Sequence, residues 1–324
     1  FKMRNKITVL LIGVIITVIR LSAQNSENVF RIVGYYSIRS AMDDYGNFPF
    51  KKLTHVNLYF LNPDSLGYFT RDLSGLKGFI DKAHRKNVKV LFSIAGGGTH
   101  PYYHDLLKED KRVFFIGNLM EQVLKYNVDG IDVDIEGSDI DENYEAFVTE
   151  LAIALKQQNK LITSAVAVYY KDQLTDHALA AYDFLNIMVY DRTGPWRPDK
   201  PGHHSTYDDA VEDLEYFGNI RNIPKEKLVL GVPFYGYGFA SDASVPVKTM
   251  NYRQIIASYP GSATADQWEI ENGMTMYYNG LPTIISKTRL AKERASGIMI
   301  WQLGGDAKGS NSLLKAIWKS SRKN

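Results

Sequence analysis

Asp129-Gly130-Ile131-Asp132-Val133-Asp134-Ile135-Glu136-Gly137 is the stretch on which the fold turns. Asp132, Asp134 and Glu136 recur at every second residue with Ile131, Val133 and Ile135 between them, which is the period of a strand. The acids therefore share one face and the aliphatics the other, with neighbouring acids roughly 6 to 7 Å apart. Like charges so close resist ionising together, so at least one pKa rises, and a raised carboxyl pKa suits a general acid near neutral pH. Two other readings fit this stretch alone. One is the solvated face of an antiparallel strand. The other is a hard-cation site, although the turn-forming glycine and polar interleaving of a calcium loop are missing.

Outward from this stretch, short apolar runs alternate with amphipathic ones. Ile32 to Tyr36, His55 to Phe60 and Val88 to Ile94 read as strands before it. Leu161 to Val168, Phe184 to Tyr190, Leu228 to Phe234 and Ile298 to Trp301 read as strands after it. Between them, Leu73, Leu76, Ile80 and Ala83 predict a helix over 72–86, and Val113, Ile116, Met120 and Val123 predict the helix that leads into the acidic strand. Tyr144, Phe147, Leu151 and Leu155 mark another, residues 208–217 a further one, and Leu313, Leu314, Ile317 and Trp318 the last. Strands and helices in this alternation predict an α/β fold, a (β/α)8 TIM barrel, with an open doubly wound sheet as the alternative. A barrel covers both faces of each strand, so the aliphatics would face helices and the acids the interior. Buried carboxylates are tolerated mainly at working sites, and Glu136 falls at the strand's C-terminal end, where barrel active sites lie. Asp129, of opposite parity, is expected to serve the turn before the strand. Residues 240–285 interrupt the alternation and predict an elaborated loop or small hairpin on the active-site face.

The 324 residues, 45% of them hydrophobic, are enough for one large domain with a sizeable core. A net charge of +2, with no long basic run beyond Lys319 to Lys323, gives no indication of nucleic-acid or membrane-surface binding. The absence of cysteine excludes disulfides, thiolate metal sites and a cysteine nucleophile. Residues 1–23 have the pattern of a cleaved export signal: Lys2, Arg4 and Lys6, an apolar run from Ile7 to Ile19, and Ala23 before Gln24. That run is short for a membrane span, and Arg20 after it favours cleavage over an uncleaved anchor. An exported protein, periplasmic or extracellular in a bacterium and without stable membrane insertion after cleavage, is expected. His100 with His104, and His203 with His204, lack a matching third ligand for zinc. Gly96-Gly97-Gly98 lacks the ending of a phosphate loop and the spacing of a dinucleotide fingerprint. No metal or cofactor is expected.

Asp129, Asp132, Asp134 and Glu136 fill every fixed position of a D-x-x-D-x-D-x-E signature. Ser93-Ile94-Ala95-Gly96-Gly97 is similar to an S-x-G-G run with one more residue, and Met188-Val189-Tyr190-Asp191 matches M-x-Y-D. Gly231-Val232-Pro233-Phe234-Tyr235-Gly236 and Trp301 fall on the seventh and eighth strands. Together these residues resemble glycoside hydrolase family 18, the chitinase family. The resemblance implies one catalytic barrel over 24–324 and a retaining hydrolysis in which the substrate's 2-acetamido group is the nucleophile. It implies that Glu136 protonates the glycosidic oxygen and later activates water, that Asp134 holds the amide N–H, and that Asp132, with Tyr35 and Ser93 near it, tunes Asp134. Tyr190 would bind the acetamido oxygen and Trp301 would form the floor under that sugar. Tyr35, Ser93, Met188, Asp191, Trp196, Tyr235 and Trp301 are the implied substrate-contacting residues. Met188 and Tyr190 share a strand face by their parity alone. Asp191 is left open between sugar binding and capping a loop, and Trp196 and the pair Tyr102-Tyr103 between outlying sugar platforms and loop packing. Ile135 and Gly137 beside Glu136 are closer to the plant-type and endo-β-N-acetylglucosaminidase branches. With Tyr237 and Phe239 standing where many chitinases have Arg and Trp, they imply a shallow, open cleft. The expected activity is a monomeric chitinase acting on chitin or N-acetylglucosamine-containing oligosaccharides. The alternatives are an endo-β-N-acetylglucosaminidase on the chitobiose core of N-glycans and a non-catalytic glycan-binding protein.

Overall fold

The computed structural model describes residues 30–322, so the expected export segment, residues 1–23, lies outside the described residues. Eight parallel strands close into a barrel in the order β1-β12-β7-β6-β5-β4-β3-β2. These are β1 (Arg31–Ser37), β2 (His55–Tyr59), β3 (Lys89–Ala95), β4 (Gly130–Asp134), β5 (Leu161–Val166), β6 (Phe184–Ile187), β7 (Leu228–Pro233) and β12 (Gly297–Trp301). Closure is made by β1 against β12, from Arg31 opposite Gly297 to Gly34 opposite Ile300. That pairing rules out the open doubly wound sheet.

Strand β4 is buried along its whole length, as a barrel requires. Ile131, Val133 and Ile135 join the apolar core to which Leu119, Phe147 and Leu151 of the flanking helices belong. Asp132 and Asp134 take the inward parity, and Glu136 follows in extended conformation just past the strand end. Gly130 starts the strand because nothing larger fits there: a Cβ would stand 2.0 Å from the carbonyl oxygen of Leu161 on β5. The chain then turns through Gly137, whose φ of 55° lies in the left-handed region that glycine enters without a Cβ penalty.

Several predicted elements differ in detail. The 72–86 helix is a 3-10 turn (Ser74–Leu76) running into an α-helix (Lys77–His84), with Leu73, Leu76, Ile80 and Ala83 all buried. In the helix Glu109–Lys125 the buried stripe is Arg112, Phe115, Ile116, Leu119 and Val123, while Val113 is 73% exposed. Arg112 takes the core-facing slot expected for Val113, because its guanidinium bonds the Leu107 carbonyl and Glu150. Strand β6 ends at Ile187; Met188 still donates its N–H to the Val166 carbonyl of β5 at 2.8 Å, and Val189 and Tyr190 lie beyond the ladder.

The excursion after β7 is more ordered than a loop or single hairpin. Strands β8 (Tyr235–Phe239), β9 (Lys248–Asn251), β10 (Gln267–Glu269) and β11 (Thr275–Tyr277) form an antiparallel sheet in the order β10-β11-β8-β9. It begins at Tyr235, before the expected boundary, and residues 281–285 already belong to the helix Leu281–Arg294. The run Tyr-Gly-Tyr-Gly-Phe of β8 conceals its strand character, since Gly236 and Gly238 break the alternation of apolar and polar residues. Gly236 faces backbone too close for a side chain, a Cβ there reaching 2.4 Å from the Tyr277 carbonyl, while a Cβ at Gly238 would press on the Met276 and Ile270 side chains at 3.0 and 3.3 Å.

Candidate active site

The deepest member of the acidic row is Asp132, 0% exposed at the centre of the barrel. Four donors from four other strands converge on it. Tyr35 Oη (2.6 Å) and Ser93 Oγ (2.8 Å) bond Oδ2, and Thr163 Oγ1 (2.6 Å) and Asn186 Nδ2 (3.2 Å) bond Oδ1. Burial pushes this carboxyl up and the donors pull it back, leaving it above the ordinary range. Tyr35 and Ser93 were also expected to contact substrate, but they do not line the cleft. They are 1% and 0% exposed and their hydroxyls are spent on Asp132.

Asp134, one strand step further out, is almost as buried, yet its Oδ1 has no hydrogen-bond partner among the described residues. Burial, then the nearby Glu136 and Asp132 carboxyls, raise it well above the ordinary range. Glu136 is pushed up to about 7, by burial first and then by the Asp191 carboxylate. The two groups titrate as a pair, and the shared proton stays with them into the neutral range. A row of acids can thus present a fully hydrogen-bonded carboxyl at its base, an acceptor without a partner among the described residues in the middle and a proton at the mouth.

The flank beside β5 and β6 forms a cleft of about 320 Å3 lined by Glu136, Met188, Tyr190, Asp191, Trp196 and others. A larger hollow, about 840 Å3, lies between the outer helices Leu281–Arg294 and Leu313–Arg322. It holds no buried acid pair, so size does not decide between them. Tyr190 is 5% exposed, its Oη 3.9 Å from Met299 Sδ, and Met188 is 8% exposed. Trp196 is 56% exposed and meets Tyr237 edge-on. Trp301, on the other side of the mouth, rests against Tyr35, Tyr59 and Phe60 with ring centroids 5.3, 4.9 and 5.9 Å away. Of the pair Tyr102-Tyr103, Tyr103 is no platform: it is fully buried, and its hydroxyl bonds Asn62 and the Ala95 N–H. Tyr102 stacks on it, half-buried.

Asp191 has a φ of 64° and receives Tyr235 Oη at 2.6 Å and Tyr237 Oη at 3.0 Å on Oδ1. The His204 ring approaches the same oxygen to 3.5 Å. Tyr235 is therefore spoken for by Asp191, and the excursion sheet, through Tyr235 and Tyr237, braces this corner of the cleft. Asp129 sits at the opposite end of β4, accepting from Val90 N, His84 and Lys89 at 2.8 Å each, which fits its expected place in the turn. Burial would raise it, but those donors outweigh burial and hold it below the usual carboxylate range.

Sequence reasoning missed Thr163, Asn186, Tyr169 and His204. Thr163 and Asn186 carry a readable signal, because each has the inward parity of its strand, and Asn186 that of Met188 and Tyr190. Tyr169, whose hydroxyl bonds the Tyr190 carbonyl at 2.8 Å, comes from a short 3-10 stretch (Val168–Gln173) and His204 from a loop, neither with such a period.

Residues 31–306 match the profile of Glycosyl hydrolases family 18. The chain is 37% identical, over 90% of its own length and 94% of the other's, to a family 18 chitinase from the chitin utilization locus of Flavobacterium johnsoniae, with a TM-score of 0.81. It is 27% identical to a chitinase from Bacteroides thetaiotaomicron, over 91% and 97% of the two chains, with a TM-score of 0.75. A class V chitinase from Medicago truncatula is 27% identical over 78% of this chain and 80% of its own.

Proposed function

The chain belongs to glycosyl hydrolases family 18, and on that premise we propose that it hydrolyses β-1,4-linked N-acetylglucosamine chains with retention, using the substrate's own acetamido group. The observation that carries this reading is the orphaned Asp134 Oδ1 beside a proton-bearing Glu136. An acetamido N–H is the donor that such a buried acceptor lacks. With that bond made, the acetamido carbonyl is turned toward the anomeric carbon, and Asp134 offsets the positive charge that develops as the ring closes. Glu136, raised to about 7, gives its proton to the leaving oxygen and then takes one from the attacking water. Tyr190 orients the acetamido oxygen, Trp301 supports the sugar's apolar face, and Trp196 offers a ring to a neighbouring sugar. Asp191, held by Tyr235 and Tyr237, keeps the Glu136 proton in place by its charge.

Glu136→Gln is expected to lower kcat by roughly 100- to 10,000-fold while leaving oligosaccharide binding near wild type; turnover like the wild type would remove Glu136 from this role. Fully de-acetylated chitosan is expected to resist cleavage, and its hydrolysis at a comparable rate would defeat the substrate-assisted scheme. A second reading, cleavage of the chitobiose core of N-glycans, is favoured by the exposed Trp196 and by Gly137 after the acid, both compatible with an open cleft. Assays on chitotetraose and a high-mannose glycopeptide separate the two, and turnover of the glycopeptide alone would reverse the preference. The reading also includes export of a monomeric enzyme, which N-terminal sequencing of the mature chain and sedimentation would test.

A further inference from the structure

Lys287 stands in the helix Leu281–Arg294 and is 0% exposed. A buried ammonium costs several kcal/mol unless its protons are used. Here all three are directed at acceptors: the Ser205 carbonyl at 2.9 Å, Ser205 Oγ at 2.7 Å and Asn279 Oδ1 at 2.9 Å. Those acceptors are neutral, and Asp209, Asp266 and Asp213 act on the charge from further off, with Arg192 opposing them. Asn279, 2% exposed, adds its own N–H to the Ser205 carbonyl at 2.7 Å.

What this cluster holds is the segment bearing Tyr190 and Asp191. β6 stops at Ile187, and the last bond to the neighbouring strand is Met188 N to the Val166 carbonyl at 2.8 Å, just before the segment begins. Tyr169 ties its Tyr190 carbonyl and Tyr235 and Tyr237 tie the Asp191 carboxylate, while its backbone at Val189 and Arg192 is held by the returning chain at His204 and Ser205: Ser205 Oγ donates to the Val189 carbonyl, and Arg192 N donates to the His204 carbonyl at 3.1 Å. The ammonium fixes the direction of these bonds. An ammonium has no lone pair, so Ser205 Oγ must accept from Lys287 and its own proton must go to Val189. A neutral amine would compete for that proton.

We propose that Lys287 is a positioning residue for the active site, acting through Ser205 to set where Tyr190 and Asp191 stand relative to Glu136. The proposal rests on the glycosidase reading only for its effect on turnover; the geometric effect stands apart from it. Burial draws the Lys287 pKa down to about 7, so the clamp is charged in mildly acidic solution and weakens in alkali. The groups facing the ammonium and its acceptors include Asp209, Asp213, Asp266, Arg192 and His204.

The test reads the Glu136 carboxyl by 13C NMR in glutamate-labelled protein, assigned by the resonance lost in Glu136→Gln. It compares wild type, Lys287→Met, Ser205→Ala and the double variant, and measures kcat and KM on chitotetraose for each. Since the Asp191 carboxylate raises the Glu136 pKa, loosening Asp191 is expected to move that titration down by roughly half a unit or more. In both single variants kcat is expected to fall roughly 10- to 100-fold. The double variant is expected to be no worse than the poorer single, since the two residues act in series. An unchanged titration and kcat in Ser205→Ala would overturn the proposal, whether or not Lys287→Met folds. A wild type inactive on every N-acetylglucosamine substrate, with the titration shifted in the variants, would overturn the glycosidase reading and uphold the clamp.

Discussion

The row Asp132, Asp134, Glu136 contains three carboxyls of one chemistry in three conditions, and their surroundings make the difference. Asp132 has four donors and Asp134 Oδ1 has none among the described residues, while Glu136 borrows a high pKa from burial and Asp191. The raised pKa has a cost that can be measured. Glu136 holds its proton more tightly folded than unfolded, so its contribution to stability is fully present below the unfolded value and is lost as pH rises through about 7. Glu136→Gln removes the ionisation, so the variant is expected to gain stability over wild type between about pH 5 and pH 8, by on the order of 2 kcal/mol at the upper end. Thermal melts at the two pH values check this, and a difference that does not grow with pH would mean that Glu136 is not strained by ionising. The sequence made these three positions legible because period two is a direct consequence of strand geometry. Parity placed Asn186 on an inward face, but that it meets Asp132, 54 residues away, depends on how the strands are registered, and no period marks His204, which lies in a loop 13 residues from its partner Asp191.

Individual elements were readable where a periodic pattern controls them and obscure where a single contact does. Leu73, Leu76, Ile80 and Ala83 mark a helical face whatever lies opposite, and all four are buried. Val113 satisfied the same pattern and points to solvent, because Arg112 could reach Leu107 and Glu150 and claimed the inward slot. The excursion sheet was hidden by two glycines, of which Gly236 is demanded by the close approach of the Tyr277 backbone. The same kind of constraint gives β4 its first residue. Gly130→Ala would push a methyl group against the Leu161 backbone on a neighbouring strand, where the three nearest atoms are its O, C and N and no side chain can move aside. The variant is expected to lose about 2 kcal/mol or more in urea unfolding, with kcat lowered as well, since β4 carries the acids. A neutral result would mean that β5 can separate from β4 without cost.

At the scale of the whole molecule, the closed order of strands puts the acids at one end of the barrel and the Asp129, His84 and Lys89 ties at the other. Net charge is only +2, and the proposed substrate is uncharged. Encounter should therefore owe little to long-range steering, and kcat/KM is expected to change less than about twofold between roughly 0.05 and 0.5 M NaCl. A steep fall with salt would indicate an anionic substrate and contradict the proposed one. The fold class, a closed (β/α)8 barrel, was legible because eight strands alternating with helices leave few topologies; the register that closes it was not, since Arg31 meets Gly297 far along the chain with no local pattern to mark the pair. That meeting of Arg31–Gly34 with Gly297–Ile300 has a consequence for synthesis. A nascent chain emerging from the ribosome can assemble β1 through β7 in order, but its first strand keeps one edge bare until the last strand has cleared the exit tunnel. Trp301, the proposed floor under the sugar, arrives with that same strand, so the proposed site cannot be complete before the barrel is.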